Sequence, residues 1–207
     1  MIVYAPLILC HSLFEVVIEH VSVCMENVEG AAMATRHLIA QGCRHIVHIS
    51  GPQDFPVSKE RIDGYTQAMR SASLEPRVVH GDFLPNSGYA CLKSLIDNSM
   101  PFDGVFCGND MMAIGALKAM KDVGIRCPEE VRLIGYDNSF VASLIQPSLS
   151  SILVPQQGLG RKATLLLHER INGTLDSPAV TAQLPIRLVV RRSSDPQKFD
   201  DWSLSIL

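Results

Sequence analysis

The sequence lacks a long uninterrupted apolar run and a concentrated basic stripe. Residues 2–10 are apolar, but they have no basic flank and are far shorter than the roughly 20 residues of a membrane helix, so we predict a strand. The net charge of −3 at pH 7 argues against a phosphate-binding surface, because nucleic-acid modules usually carry clustered Lys and Arg. The one dense basic run, residues 187–192, is interpreted as a solvated strand edge. We therefore expect no membrane contact and no specific DNA binding by this chain alone.

The six cysteines lie far apart, with no CxxC pair and no Cys/His cluster. Zinc sites and redox dithiols gather their ligands by short spacings, so we expect no metal and no redox site. Buried small side chains in a reducing cytoplasm are the favoured interpretation. The histidines form no metal-binding pair, since His45 and His48 are three apart on a predicted strand and face opposite sides. We expect each histidine to have a structural or surface role.

Motifs of common enzyme classes are also missing. The sequence has no GxSxG, which excludes a nucleophile elbow. It has neither GxxxxGKS/T nor GxGxxG, the two common loops for nucleotide phosphates. We predict no catalytic residue and no cofactor, and therefore a binding protein rather than an enzyme.

Helical and strand-like patterns alternate from residue 27 onward. Apolar residues recur at helical spacing in some segments, and short runs rich in β-branched residues separate them. In chain order, the pattern predicts a helix at 28–39, a strand at 45–50, a helix at 62–72, a strand at 77–81, a helix at 89–96, a strand at 104–107, a helix at 113–120 and a strand at 131–136. Such alternation predicts an α/β protein with a parallel sheet flanked by helices on both faces.

The alternation breaks near residue 147. Residues 147–155 are interpreted as a loop with a short apolar centre at 151–154. A long helix is predicted at 156–172, followed by a turn and a last strand at 183–190. The tail after Arg192 is expected to be poorly ordered.

Polar and aromatic residues follow the predicted strands. Ligands of open parallel sheets gather at the carboxyl ends of the strands, because the loops converge there. The candidate binding residues are one arginine, one aromatic, one amide and one carboxylate, namely Arg61, Phe83, Asn109 and Asp137. An aromatic face packs on apolar sugar or ring surface, while the other three supply donors and acceptors that are costly to bury unpaired. This set predicts a site for a polar small molecule.

Each candidate also has a structural alternative. The alternatives are a turn or helix cap for Asp137, a core position for Phe83, a helix N-cap for Asn109 and a surface ion pair with Glu60 or Asp63 for Arg61. Capping and binding are compatible at Asn109. The recurrence of such residues at every strand end, rather than any single one, favours binding.

Six segments, in order, resemble the LacI/GalR repressors. They are MENVEGAAMATRHLIAQGCRHIVHISGP, ERIDGYTQAM, GDFLPNSGY, FDGVFCGNDMMAIGAL, GIRCPEEVRLIGYDNSFVASLIQPSLSSI and LPIRLVVRRSS. The resemblance runs from about residue 6 to residue 194. Its most specific part is Gly-Tyr-Asp-Asn after an apolar strand, followed by PSLSSI.

This resemblance implies a periplasmic-binding-protein-like type I fold, in which two lobes joined by three crossing strands hold the effector. By position, Arg61 would be the main hydrogen-bonding contact, Asp137 would bind polar groups, Asn109 would add an amide contact and Phe83 would be the aromatic platform. Phe55 and Val57 fall where the family places polar or charged specificity contacts. Because both are apolar here, a less polar or differently oriented effector is expected.

The family also forms homodimers through its C-terminal lobe. The resemblance assigns that interface to the helix after Asn109-Asp110 and to the loop after Gly-Tyr-Asp-Asn. The corresponding residues are Ile114, Leu117, Lys118, Met120 and the stretch from Val141 to Ile145.

The resemblance divides the chain into five parts. These are a first-lobe remnant at 1–26, the effector-binding and dimerising second lobe at 27–153, a returning first-lobe helix at 154–182, the last second-lobe strand at 183–193 and a tail at 194–207. Family members begin with a helix-turn-helix headpiece and a larger first lobe, so DNA contact is expected only through a headpiece that this chain lacks. We expect the first-lobe remnants to rearrange, disorder or pair between chains.

The sequence therefore predicts the cytoplasmic, effector-sensing domain of a bacterial transcription repressor, with a sugar or related polar molecule as effector. Effector binding would act by shifting the population of lobe conformations. Three alternatives stay open: a sugar-binding protein of a transport system, an enzyme on a flavodoxin-like sheet, and a fragment without independent function.

Overall fold

The computed structural model describes residues 9–10, 16–18, 21–175 and 180–199. The chain divides into two units, the first comprising residues 1–26 and 154–186 and the second residues 27–153 and 187–207. The chain passes from one unit to the other after Glu26, after Leu153 and after Ile186. Each unit contains its own sheet.

The strands of the described residues are β1 (Leu9–Cys10), β2 (Val16–Ile18), β3 (Val21–Met25), β4 (Ile46–Ser50), β5 (Arg77–His80), β6 (Gly104–Cys107), β7 (Arg132–Asp137), β8 (Ser150–Leu153), β9 (Val180–Leu184) and β10 (Arg187–Val189). The α-helices are α1 (Asn27–Ala40), α2 (Pro56–Ser71), α3 (Pro85–Asp97), α4 (Asp110–Asp122) and α5 (Gln156–Ile171). A 3-10 turn spans Phe140–Ser143. Every helix and strand predicted between residues 27 and 137 is confirmed, although α2 and α3 begin earlier than predicted because Pro56 and Pro85 fit the first helical turn.

The second unit has a six-stranded sheet in the order β10-β8-β7-β6-β4-β5. The five strands from β8 to β5 run parallel to one another. Only β10 is antiparallel among the described strands of this sheet, and it pairs with β8 at the edge. The predicted α/β class with a mainly parallel sheet is confirmed.

Alternating side chains of the second sheet pack against helices on its two faces. Val47, Val105 and Leu133 lie in a buried apolar cluster with residues of α3 and α4. On the opposite face His48 stacks on Phe106, and the two rings pack near side chains of α2 and β7. This two-sided burial explains why the central strands are apolar runs rather than alternating sequences.

Three sequence predictions near the chain end are corrected. Residues 147–155 are not a loop throughout, because β8 forms there as a buried strand of the sheet. The single strand predicted at 183–190 is two strands, β9 and β10, separated by Pro185, which has no N–H to donate to a ladder. The start of the tail is ordered, because Ser193 and Ser194 are fully buried.

Ser193 connects β7 and β8. Its hydroxyl donates to the carbonyl of Leu133 at 2.6 Å and accepts from the backbone N–H of Ser150 at 2.8 Å. Its own carbonyl accepts from the N–H of Leu133 at 2.8 Å. These bonds satisfy backbone groups that would otherwise be buried without partners.

The first unit contains a four-stranded sheet in the order β1-β2-β3-β9. The first three strands are antiparallel neighbours, and β9 is parallel to β3. Helix α5 packs on this sheet with Leu159, Ala163 and Leu166 buried. Of the strand predicted at 2–10, only Leu9–Cys10 is described, and the rest lies outside the described residues. None of the described helices is long and apolar enough to cross a membrane.

Candidate functional site

The segments that follow β4, β5 and β6 carry Arg61, Phe83 and Asn109, Asp137 ends β7, and we call this end of the second sheet its carboxyl edge. Arg61 reaches this edge from α2, and one of its terminal N–H groups donates to the carbonyl of Gly108 just beyond β6. Its guanidinium carbon lies 3.6 Å from the centre of the Tyr136 ring, in cation–π contact. Arg61 therefore lies at the carboxyl edge, where the sequence predicted it.

Arg61 is only 2% exposed, so the surface ion pair with Glu60 or Asp63 is wrong. Instead, Nε and Nη2 both donate to Asn27 Oδ1, at 3.3 and 3.2 Å. A guanidinium has five N–H groups, and three of them donate to Asn27 or Gly108 among the described residues.

Asn109 is the N-cap of α4 and also holds the neighbouring loop. Its Oδ1 accepts from the N–H of Met112 at 2.8 Å, and its Nδ2 donates to the carbonyl of Phe83 at 2.9 Å. The capping alternative is therefore confirmed, and the proposed amide contact to an effector stays a prediction. The bond to Phe83 fixes a residue whose φ of 70° lies in the left-handed region.

Phe83 belongs to the apolar cluster of the second unit and is 8% exposed. Its ring lies so close to Gly51 that a side chain at that position would collide with it. The ring also meets Phe55 edge-on, with centroids 6.1 Å apart. Phe83 is thus mainly a core residue, and the more exposed aromatic surface belongs to Phe55.

The two residues of the predicted specificity loop differ in their surroundings. Phe55 immediately precedes α2 and is 39% exposed. Val57 is 7% exposed and packs in the core cluster. This corrects the prediction that Val57 contacts the effector, because Val57, in the first turn of α2, points into the core rather than toward a ligand.

Asp137 ends β7 with φ of 103°, and the following Asn138 has φ of 49°. Asp137 Oδ1 is buried and has no hydrogen-bond partner among the described residues. Burial raises the pKa of this carboxyl to about 7, the positive charge of Arg61 opposes that rise, and the negative charge of Asp110 adds to it. A buried acceptor without a donor is costly, so this position favours a ligand that supplies an O–H or N–H.

Arg191 is half-buried and not a freely solvated charge, which corrects the interpretation of residues 187–192. It donates to the carbonyl of Leu149 at 2.6 Å and to Asn138 Oδ1 at 2.7 Å. Burial lowers the pKa of its guanidinium, although Asp110 opposes the change. The C-terminal segment therefore supports the loop that carries Asp137.

The sequence of this chain is similar to those of known proteins. Residues 35–194 match the family described as periplasmic binding protein-like domain. The HTH-type transcriptional regulator CelR of Thermobifida fusca is 38% identical over 172 residues, which are 82% of this chain and 50% of CelR. The HTH-type transcriptional repressor PurR of Escherichia coli is 39% identical over 177 residues, 84% of this chain and 52% of PurR.

Solved structures of transcriptional regulators also resemble this chain. A CelR–cellobiose complex superposes with a TM-score of 0.80 at 38% identity, covering 84% of this chain and 54% of that one. The chain is a LacI-family periplasmic-binding-protein-like domain. This LacI-family domain spans about half the length of the curated relatives it matches. Those relatives are named as transcriptional regulators.

The predicted dimer residues of the LacI-family domain divide into exposed and buried sets. Lys118 and Val141 are exposed, and Ile114 and Ile145 are partly buried. The assignment of Leu117 and Met120 to the dimer interface is corrected, because both are buried on the inner side of α4, in the core cluster. Their helical spacing matched the inner face of the helix rather than a contact surface.

The sequence predicts structural roles for the cysteines and histidines of the LacI-family domain. Of the described cysteines, Cys43 and Cys107 are buried as predicted, and burial raises the pKa of each thiol. Cys24, Cys91 and Cys127 are only partly buried. His48 is fully buried, and its Nδ1 lies 2.9 Å from the carbonyl of Phe106. Burial lowers the pKa of His48 to about 3, so the ring stays neutral at physiological pH and has a structural role.

Asn27, Asp110 and Tyr136 are site residues that sequence reasoning did not single out. Asn27 Oδ1 accepts from Arg61 and lies 3.4 Å from the Tyr136 hydroxyl, and its Nδ2 donates to Glu60 Oε2 at 2.8 Å. Nothing in the sequence around Asn27 signals this role, because its partners are distant in the chain. Asp110 had a signal, since a glycine inside the β7 pattern indicates close approach of another group.

Proposed function

We propose that this LacI-family domain binds a small polyhydroxylated effector, a sugar or sugar derivative, at the carboxyl edge of its second sheet. The observation that carries the proposal is the buried, unpaired Oδ1 of Asp137, close enough to the Arg61 cation for the charge of Arg61 to affect its pKa. A sugar hydroxyl satisfies the carboxyl oxygen as a donor, and another accepts from an arginine N–H. That a related regulator, CelR, was solved with cellobiose supports this class of ligand.

Each site residue has a distinct proposed role. Asp137 accepts from effector hydroxyls, and Arg61 donates to effector oxygens. Asn109 adds an amide contact and also keeps the Phe83 loop in place. Phe55, as the exposed aromatic of this edge, covers an apolar face of the effector, as aromatic rings do with sugars.

We further propose that the domain acts in a cytoplasmic repressor as a binding module without catalytic turnover. An effector that binds one conformation more tightly shifts the population toward it and so changes operator affinity. DNA contact would come from a helix-turn-helix segment, the feature for which the HTH-type relatives are named. Residues 27–153 together with 187–193 would form the effector-binding lobe.

A homodimer is part of the proposal. The outer side of α4 and the 3-10 turn carry the exposed apolar side chains of Met111, Phe140 and Val141. A groove of about 440 Å³ between α3 and α4 includes Ile114 and Lys118. Apolar surface of this kind supports a contact between two copies.

Calorimetric titration of the chain with cellobiose, other disaccharides and simple monosaccharides tests the proposal. Asp137→Asn and Arg61→Gln are the test variants, and Asp97→Asn, on the exposed end of α3, is the matched control. Loss of a hydrogen bond to a charged group is worth about 1.5–3 kcal/mol, so we expect affinity to fall about 10- to 150-fold in the test variants only. Binding that is equally strong in all four proteins would contradict the assignment.

A further inference from the structure

The turn after β7 is held in an unfavourable backbone conformation. Asp137 and Asn138 both have positive φ, at 103° and 49°, and neither is glycine. Side chains at such angles cost free energy, so the conformation persists only where surrounding contacts determine it. The contacts that hold this turn therefore also fix the position of the Asp137 carboxyl.

One buried carboxylate supplies most of those contacts. Asp110 is 1% exposed, and its Oδ2 accepts from the backbone N–H of Ser139 at 2.6 Å and from the Ser139 hydroxyl at 2.9 Å. Its Oδ1 accepts from the Ser151 hydroxyl at 2.6 Å. The same Ser151 oxygen accepts from the N–H of Asn138 at 2.9 Å. Asp110 thus holds both amides that follow Asp137, one directly and one through a serine.

The sequence makes room for this carboxylate at Gly135. A Cβ at residue 135 would lie well inside contact distance of Asp110 Oδ1 and within 3.2 Å of Asp110 Cα. Gly135 has no positive φ, so the backbone conformation does not demand glycine there. The glycine two residues before Asp137 is explained by the space that Asp110 needs.

We infer that Asp110 is a positioning residue for effector binding, which holds the Asp137 carboxyl in its binding position by anchoring the two amides that follow it. This inference rests on the proposed function, in which Asp137 contacts the effector. Asp110 itself is covered by the turn and touches no effector. Its loss would therefore alter binding through the geometry and charge state of Asp137.

The charges around Asp137 make its titration sensitive to Asp110. The titratable or charged groups that act on Asp137 are Arg61 from α2, Asp110 from α4 and the adjacent Tyr136. Arg191, beyond β10, donates to the side chain of the neighbouring Asn138. The negative charge of Asp110 disfavours ionisation of Asp137, whereas Arg61 favours it. Replacing Asp110 by a neutral side chain should move the titration of Asp137 to lower pH.

NMR of the chain labelled with 13C at aspartate carboxyl groups tests the inference without any effector. The Asp137 signal is identified by its absence in Asp137→Asn. The test variants are Asp110→Asn, which keeps the shape and removes the charge, and Gly135→Ala, which keeps the charge and displaces the carboxylate. Asp97→Asn is the control. Hydrogen exchange at the amides of Asn138 and Ser139 is measured in parallel, with amides of β4 and β6 as the measure of intact fold.

We expect Asp110→Asn to lower the Asp137 titration midpoint by about half a pH unit or more. We expect Gly135→Ala to speed exchange at Asn138 and Ser139 at least about tenfold, while β4 and β6 stay protected. A folded Asp110→Asn protein with an unchanged Asp137 midpoint, or a folded Gly135→Ala protein with unchanged exchange, would overturn the inference. Cellobiose titration is a separate arm: if the wild type binds no sugar, the proposed function fails while the NMR result still decides the role of Asp110.

Discussion

The guanidinium of Arg61 lies between the Tyr136 ring and the side-chain oxygen of Asn27. The ring centre is 3.6 Å from the guanidinium carbon, and Asn27 Oδ1 accepts from two of the arginine N–H groups. All three side chains are buried. This arrangement desolvates a cation and compensates for it with an aromatic face, the Asn27 side-chain oxygen and the carbonyl of Gly108.

Replacing Asn27 by leucine should therefore destabilise the second unit. The change removes the acceptor for Arg61 Nε and Nη2 and leaves a buried charge with fewer partners. Loss of such a bond to a charged group costs about 1.5–3 kcal/mol, measured as a lower urea midpoint with an unchanged slope. Asn98→Leu is the control, because Asn98 is exposed and bonds only locally within α3 and its end. Equal midpoints for the two variants would show that Asn27 contributes nothing to holding Arg61.

Asp137→Asn should stabilise the protein at high pH. The carboxyl has a pKa of about 7 in the folded chain and an ordinary value near 4 when unfolded, so the folded state binds the extra proton between these values. Stability is therefore lost as pH rises from about 4 to about 7, and the variant lacks this loss. We expect a gain of at most about 4 kcal/mol at pH 8, from about 1.4 kcal/mol for each pH unit between the two pKa values, and little change at pH 4, measured by urea unfolding at both pH values. A variant that is less stable at pH 8 would contradict the burial of this carboxyl.

His48→Phe should also change how stability depends on pH, but in the opposite direction to Asp137→Asn. The folded pKa of about 3 lies below the ordinary value of 6.5, so the unfolded chain binds a proton that the folded chain excludes. The wild type therefore loses up to about 1.4 kcal/mol per pH unit as pH falls from 6.5 toward 3, and His48→Phe removes this dependence. Phenylalanine keeps the stacking on Phe106. Stability curves of the variant and wild type that stay parallel from pH 6.5 to pH 4 would exclude the predicted role of His48.

Phe55 and Val57 provide a matched pair of truncations. Val57→Ala removes buried methyl groups and should cost about 1–2 kcal/mol of stability, with effector affinity preserved. Phe55→Ala alters an exposed residue and should change stability by no more than about 0.5 kcal/mol. It should nevertheless weaken binding of a sugar, because an aromatic contact is lost. Thermal melts and calorimetric titration of both variants separate the two effects, and the reverse pattern would assign the specificity contact to Val57.

Local patterns predicted the helices and strands of the second unit because their signals lie within each segment. The helical spacing before Gly42 and the capping signature at Asn109 are examples. The resemblance misplaced Leu117 and Met120, since it assigns an interface to α4 but does not separate its outer residues from those that face the core. The local pattern treated Arg191 as solvated, because its partner Asn138 is 53 residues away in the sequence.

The candidate site was predictable only in part, for a related reason. Strand ends converge in a parallel sheet, so Arg61 and Asp137 could be grouped from sequence. Whether each of these groups finds a hydrogen-bond partner within the protein depends on contacts between distant segments of the chain. Arg61 and Asn27 are 34 residues apart, and Asp110 and Ser139 are 29 apart. Gly135 was the one local sign of such a contact.

The bridge made by Ser193 has a consequence for how the protein is synthesised. Strands β7 and β8 are joined by a residue that leaves the ribosome about 40 residues after β8, and β10 emerges only shortly before it. Until then, the Leu133 and Ser150 backbone groups lack these partners, and β8 is an open sheet edge. The nascent chain therefore carries an incomplete second unit while the whole of α5 and β9 is being made, a period in which edge-to-edge association with another nascent chain competes with native closure.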